Sequence, residues 1–144
     1  MPIYGLPYSD DQLFNLLNLA LPAWILLAVA PRWRYTQIIS TATALLMSAL
    51  YVALFVTMKV SPPEGEQLDF NELFTFEGVA RALSTRSIVL PAWTHYIAFD
   101  LWVGRWIAAD AVSRGVPQLL VGPCLLATLL VGPTGLLLYW LVRA

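Results

Sequence analysis

Residues 37–60, QIISTATALLMSALYVALFVTMKV, contain one charged side chain, Lys59, at their far end. A hydrocarbon core of about 30 Å needs roughly 20 mostly apolar residues in a helix. This stretch meets that need and ends at Ser61-Pro62-Pro63, where prolines deny the backbone its next donors. Reading outward, Leu13–Ala30 is a second such run, joined to the first by the short basic turn Pro31-Arg32-Trp33-Arg34. On the other side lie Ile88–Val112, which is apolar but charged at intervals, and Leu119–Leu141. Ser113-Arg114-Gly115-Val116-Pro117 separates these two with Gly and Pro helix stop signals. The expectation is an all-α, integral membrane four-helix bundle. It is a single domain over residues 1–144, with spans at about 13–30, 37–60, 88–112 and 119–141.

Composition agrees. Of 144 residues, 59% are hydrophobic and 12% charged, against roughly 25% charged in a soluble domain. Mean hydropathy is +0.70. A net charge of −1 lacks the basic face that a nucleic-acid partner requires. One cysteine, Cys124, excludes an internal disulfide. One histidine excludes a multi-histidine metal centre, so no metal is expected. Met1–Asp11 carries no Lys or Arg, unlike the basic region of a signal peptide, and the first apolar run is expected to be retained as a span. By the positive-inside rule Arg32, Arg34 and Arg114 face the cytoplasm, with both termini outside. Lys59, Arg81, Arg86 and Arg143 then oppose that bias.

Between the second and third spans, residues 69–83 read as a short amphipathic helix at the interface. Phe70, Leu73, Phe74, Glu77, Ala80 and Arg81 share a stripe at 100° per residue. Glu77 is expected to pair with Arg81 in the favourable acid-first order. The fourth span repeats Val-Gly-Pro at 121–123 and 131–133 and then has Gly135. A packing kink is the simpler reading, a bend that opens a cavity the other. Ser40, Ala44 and Ser48 form a small-residue row suited to close helix contact.

The third span carries the chemistry: PAWTHYIAFDLWVGRW, residues 91–106. A charged side chain at the centre of a span costs roughly 2.5–3.5 kcal/mol on insertion scales, and such residues persist when they face the bundle interior and pair. His95, Asp100 and Arg105 are therefore candidate site residues. Steps of five residues turn about 140°, so the three point in different directions. His95 shares a stripe with Phe99, Trp102 and Trp106, an aromatic wall for an apolar ligand. Asp100 faces with Trp93 and Gly104, where a neighbouring helix can approach. Asn15 and Asn18 of the first span are candidate partners for Asp100, and Asp110 is expected to pair with Arg114.

The series Trp93-x-His95-x4-Asp100-Leu101-x3-Arg105-x4-Asp110, preceded by Phe76-Glu77 and followed by Pro123 and Gly132-Pro133-x-Gly135, resembles the plant abscisic-acid-deficient-four family over most of the chain. Gly104 and Trp106 depart from the plant pattern, and no transit peptide is expected before the first span. A bacterial or cyanobacterial relative is expected, in a bacterial inner membrane or a thylakoid membrane. The resemblance implies conversion of violaxanthin to neoxanthin. An end-ring epoxide opens, a proton leaves the adjacent polyene carbon and an allene forms, with no redox cofactor. The expected partners are a carotenoid or similar lipid-soluble substrate and membrane lipid, with a homo-oligomer possible. In this reading Asp100 and Glu77 are candidate acid and base. His95 serves as either or orients one of them, and Arg105 steadies a carboxylate or developing alkoxide. Trp93, Phe99, Trp102, Trp106, Asn15 and Asn18 bind substrate. A non-catalytic carotenoid-binding or assembly subunit is the alternative, and a small transporter component the third.

Overall fold

The computed structural model describes residues 7–143, and the described residues form helices and turns without strands. Ser9 opens α1 (Asp10–Leu16) with a reciprocal capping box to Gln12. A 3-10 stretch, Leu17–Leu19, links α1 to α2 (Ala20–Val29). Pro22 explains it: the ring has no donor for the Asn18 carbonyl and collides with it, so the helix tightens locally. Thr36 donates to the Ala30 carbonyl at 2.7 Å and pins the turn into α3 (Arg34–Val60). Within α3, the hydroxyls of Thr41, Ser48 and Thr57 bond back to carbonyls one turn earlier.

Two stretches, Asp10–Val29 with mean hydropathy 1.7 and Arg34–Val60 with 2.0, are long and apolar enough to cross a membrane. The chain then runs through a 3-10 turn, Phe70–Phe74, and α4 (Phe76–Ser84) to α5 (Arg86–Arg114). The expected single helix over 69–83 is thus two pieces. Thr75 is extended and caps α4 through the Gly78 N–H. A Cβ on Gly78 would collide with the Glu72 carbonyl, so only glycine permits this corner. The break also redirects Arg81, which pairs with Glu72 at 2.9 Å rather than with Glu77.

α5 is the central element, packed by α2, α3, α4, α6 and α7. Its buried residues, among them Leu90, Thr94, Ala98, Leu101, Gly104, Ile107 and Ala111, lie on several sides. Trp24 of α2 lies on Gly104, where a Cβ would enter its ring.

The last segment departs most from expectation. α6 (Gln118–Val131) and α7 (Pro133–Val142) do not form one helix. Gly132, at φ 51° and ψ −107°, reverses the chain. Gly135 of α7 then packs on the α6 backbone at Cys124 and Thr128, where a Cβ would overlap backbone atoms. The result is a helical hairpin. Its arms of 14 and 10 residues are about 21 and 15 Å long, each short of the roughly 30 Å hydrocarbon core. The anticipated span over 119–141 is therefore corrected: Gly132-Pro133 is a reversal, not a kink. The Gln118 side-chain amide donates to the Ala28 carbonyl at 2.7 Å and fixes the hairpin's entry. Its exit is fixed at Asp110, whose Oδ2 accepts from the Tyr139 hydroxyl at 2.6 Å and pairs with Arg114 at 2.9 Å and Arg143 at 3.3 Å. Arg143 thus lies at the Asp110 end of α5, whereas Asp10 meets Arg86 at the opposite end, at 3.3 Å. The described ends of the chain thus lie at opposite ends of α5, against the expectation that both termini share a side.

Candidate functional site

The helical geometry of α5 divides the expected site residues between two faces. Asp100 lies midway along α5, in a cleft of 110 Å³ lined by Asn18, Trp24, Trp93, Ile97, Leu129 and neighbours. Asn18 and Trp93 thus join Asp100, as their positions on the two helices indicate. The hairpin tip closes the inner end: a Cβ on Gly132 would stand 3.2 Å from a carboxylate oxygen of Asp100. Among the described residues no hydrogen bond or ion pair reaches that carboxylate. A half-buried, unpartnered carboxyl is costly in an apolar setting, and such groups concentrate at functional sites.

The other face of α5 forms a groove with α3. His95 stacks on Phe99, with centroids 4.7 Å apart, and meets Tyr51 edge-on at 5.5 Å. One hollow of 220 Å³ includes Tyr51, Phe55, Phe70, Leu73 and His95. A second, of 240 Å³, is lined by Ala44, Leu45, Ser48, Ala98, Phe99 and Trp102. Arg105 lies beyond, its guanidinium 5.0 Å from the Trp102 ring centre and its Nε buried without a hydrogen-bond partner. Gln37 of α3 has both amide atoms buried and unpartnered, as does the Ser40 hydroxyl. Tyr51 and Gln37 carry no signal in a hydropathy reading, since each sits inside or at the edge of an apolar run.

Three expected residues stand apart. Trp106 leaves the aromatic stripe for the hairpin, stacking on Trp140 at 6.3 Å and meeting Tyr139 edge-on at 5.7 Å. Glu77 is exposed on α4 and Asn15 is exposed on α1; neither lines the Asp100 cleft. Asp100 and Glu77 are not brought together. Trp24, absent from the sequence-based set, forms a wall of the Asp100 cleft. The described residues contain no cluster of three or more His, Cys, Asp or Glu able to hold a metal.

No curated protein and no solved structure matches the chain. A family model does, over residues 12–139, a range that takes in α2, α3, α5, the hairpin reversal and the Asp100 cleft. The chain belongs to the ABA DEFICIENT 4-like family.

Proposed function

We propose that the protein is a membrane-embedded isomerase of an oxygenated carotenoid end ring, with its chemistry at Asp100. Family membership supports a carotenoid-related role. The observation that carries the assignment is the unpartnered Asp100 carboxyl between aromatic walls, Trp24 and Trp93, with the Asn18 amide in the same cleft.

In this reading α1–α2, α3 and α5 cross the bilayer, and the α6–α7 hairpin enters it from the Asp110 end and returns. α5, at 29 residues, is about 43 Å long, enough to cross with its charged ends in the headgroup layers. Irregular backbone such as the Gly132 reversal is tolerated at membrane depth where protein buries it, and Gly132 is buried.

Epoxide-to-allene isomerisation leaves the molecular formula unchanged. The ring C–O bond breaks, a proton leaves the adjacent polyene carbon, and the oxygen ends as a hydroxyl. One carboxyl suffices: Asp100 as carboxylate takes the carbon's proton and returns it to the oxygen. The Asn18 amide N–H steadies that oxygen while it is negative. A single-residue shuttle fits a cleft that Glu77 and His95 do not line. The assembly-subunit reading retains one observation of its own, the exposed wall of Phe99 and Trp102 along the α3–α5 groove.

The test is expression in a bacterium accumulating violaxanthin, and in one accumulating β-carotene and zeaxanthin, with pigments resolved by chromatography and mass spectrometry. A new isomer of unchanged mass is expected in the epoxide-bearing host only. A product of altered mass overturns isomerisation. No new pigment, with carotenoid copurifying, favours the assembly subunit.

A further inference from the structure

The cleft at Asp100 continues toward the start of α5. A second cleft of 210 Å³, lined by Asp10, Asp11, Phe14, Arg86, Val89, Leu90 and Trp93, shares Phe14 and Trp93 with it. The two are stretches of one trough between α1 and α5. The trough starts at the Asp10–Arg86 ion pair, whose arginine side chain is 78% exposed, and ends at Asp100. Fourteen residues of α5 separate Arg86 from Asp100, a path of about 21 Å.

Beyond Asp100 the way is shut. Gly132 of the hairpin tip stands against the carboxylate and Trp24 lies on Gly104. Leu101, Ile107 and Ala108 are fully buried beneath. The hairpin that makes this floor is held at Asp110 by two contacts, from Tyr139 and Arg143.

We infer that Asp100 exchanges water and protons with the compartment at the Asp10–Arg86 end of the molecule and is sealed from the compartment at the Asp110 end. Polar groups line the mouth (Asp10, Asp11, Arg86) and the inner end (Asn18, Asp100), with the apolar side chains of Phe14 and Trp93 lining both stretches between them. The inference rests on the membrane reading above. It gives Asp100 a fixed side from which its resting protonation is set, the isomerisation itself taking up and returning one and the same proton.

The test uses the full chain in sealed vesicles, with Cys124→Ala as background and one cysteine introduced at a time. Asp11→Cys marks one end of the molecule and Ser113→Cys the other. Asn18→Cys reports the trough. A membrane-impermeant thiol reagent is applied from each side, and labelling is read by mass spectrometry. Asn18→Cys is expected to label from the side that labels Asp11→Cys, and labelling from the Ser113→Cys side is expected to be lost. Labelling from the Ser113→Cys side, or from neither side while Asp11→Cys labels, overturns the inference. If Asn18→Cys does not accumulate, Leu21→Cys on the same cleft gives the same readout. Asp11→Cys and Ser113→Cys labelling from one side overturns the membrane reading itself, an outcome distinct from a sealed trough.

Discussion

Asp100, Gly132 and Gly104 decide the site by what their side chains do or do not occupy. Asp100→Asn keeps the shape of the carboxyl but cannot accept the carbon proton, so product formation is expected to fall by at least about 10²-fold, in line with loss of a general base. Protein yield and melting temperature should stay near wild type. His95→Phe is expected to leave turnover within a few-fold, because His95 faces the α3–α5 groove on the side of α5 away from Asp100. A complete loss in His95→Phe would relocate the chemistry to that groove. Gly132→Ala meets a positive φ and the Asp100 carboxylate together, at a cost of about 1–3 kcal/mol. A lowered unfolding midpoint in detergent checks this. The pairing of Asp100 with Trp93 and Gly104 on one face was legible from the 100° helical step alone. The exit of Trp106 to the hairpin was not, since its partners Tyr139 and Trp140 lie beyond a chain reversal that a helical wheel of α5 does not contain.

At the scale of elements, hydropathy located α3 nearly to the residue, because charge and proline bound it: Arg34 at the start, Ser61-Pro62-Pro63 after Val60. It misread residues 119–141, whose run of leucines is equally apolar whether the chain goes straight or doubles back. What distinguishes the two is Gly135 three residues after Gly132. The first supplies the flat patch against Cys124 and Thr128, the second the reversal. Gly135→Leu is expected to force the arms apart, costing on the order of 1–3 kcal/mol as overpacking does. It should also reduce isomerisation, since the tip no longer backs Asp100. Tyr139→Phe removes the hydroxyl that donates to Asp110 and should lower the melting temperature while keeping product identity. Residues 69–83 show the same limit on a smaller scale. Their apolar periodicity was real, but the Gly78–Glu72 contact divides the stretch into a 3-10 turn and α4.

For the whole molecule, the hairpin changes which charges share an end. Arg143 joins Arg32, Arg34 and Arg114 at the Asp110 end of the molecule, opposite Lys59, Arg81 and Arg86. The Lys/Arg excess at the Asp110 end predicts that end in the cytoplasm or its organelle equivalent, with the N-terminal residues of α1 across the membrane. Fusion reporters at the two termini should report opposite compartments; the same compartment would contradict the three-crossing arrangement. In the proposed arrangement the trough then opens on the non-cytoplasmic side, and a carotenoid substrate would reach Trp93 from the lipid. The central claim is that Asp100 converts a bound end ring without changing its mass. Its most direct test is to purify wild type and Asp100→Asn from the violaxanthin-accumulating host and identify the pigment in the extract and on the protein. The account predicts an isobaric product with the wild type, and with Asp100→Asn violaxanthin bound to the protein and unconverted. The same isobaric product in undiminished yield from Asp100→Asn would contradict it.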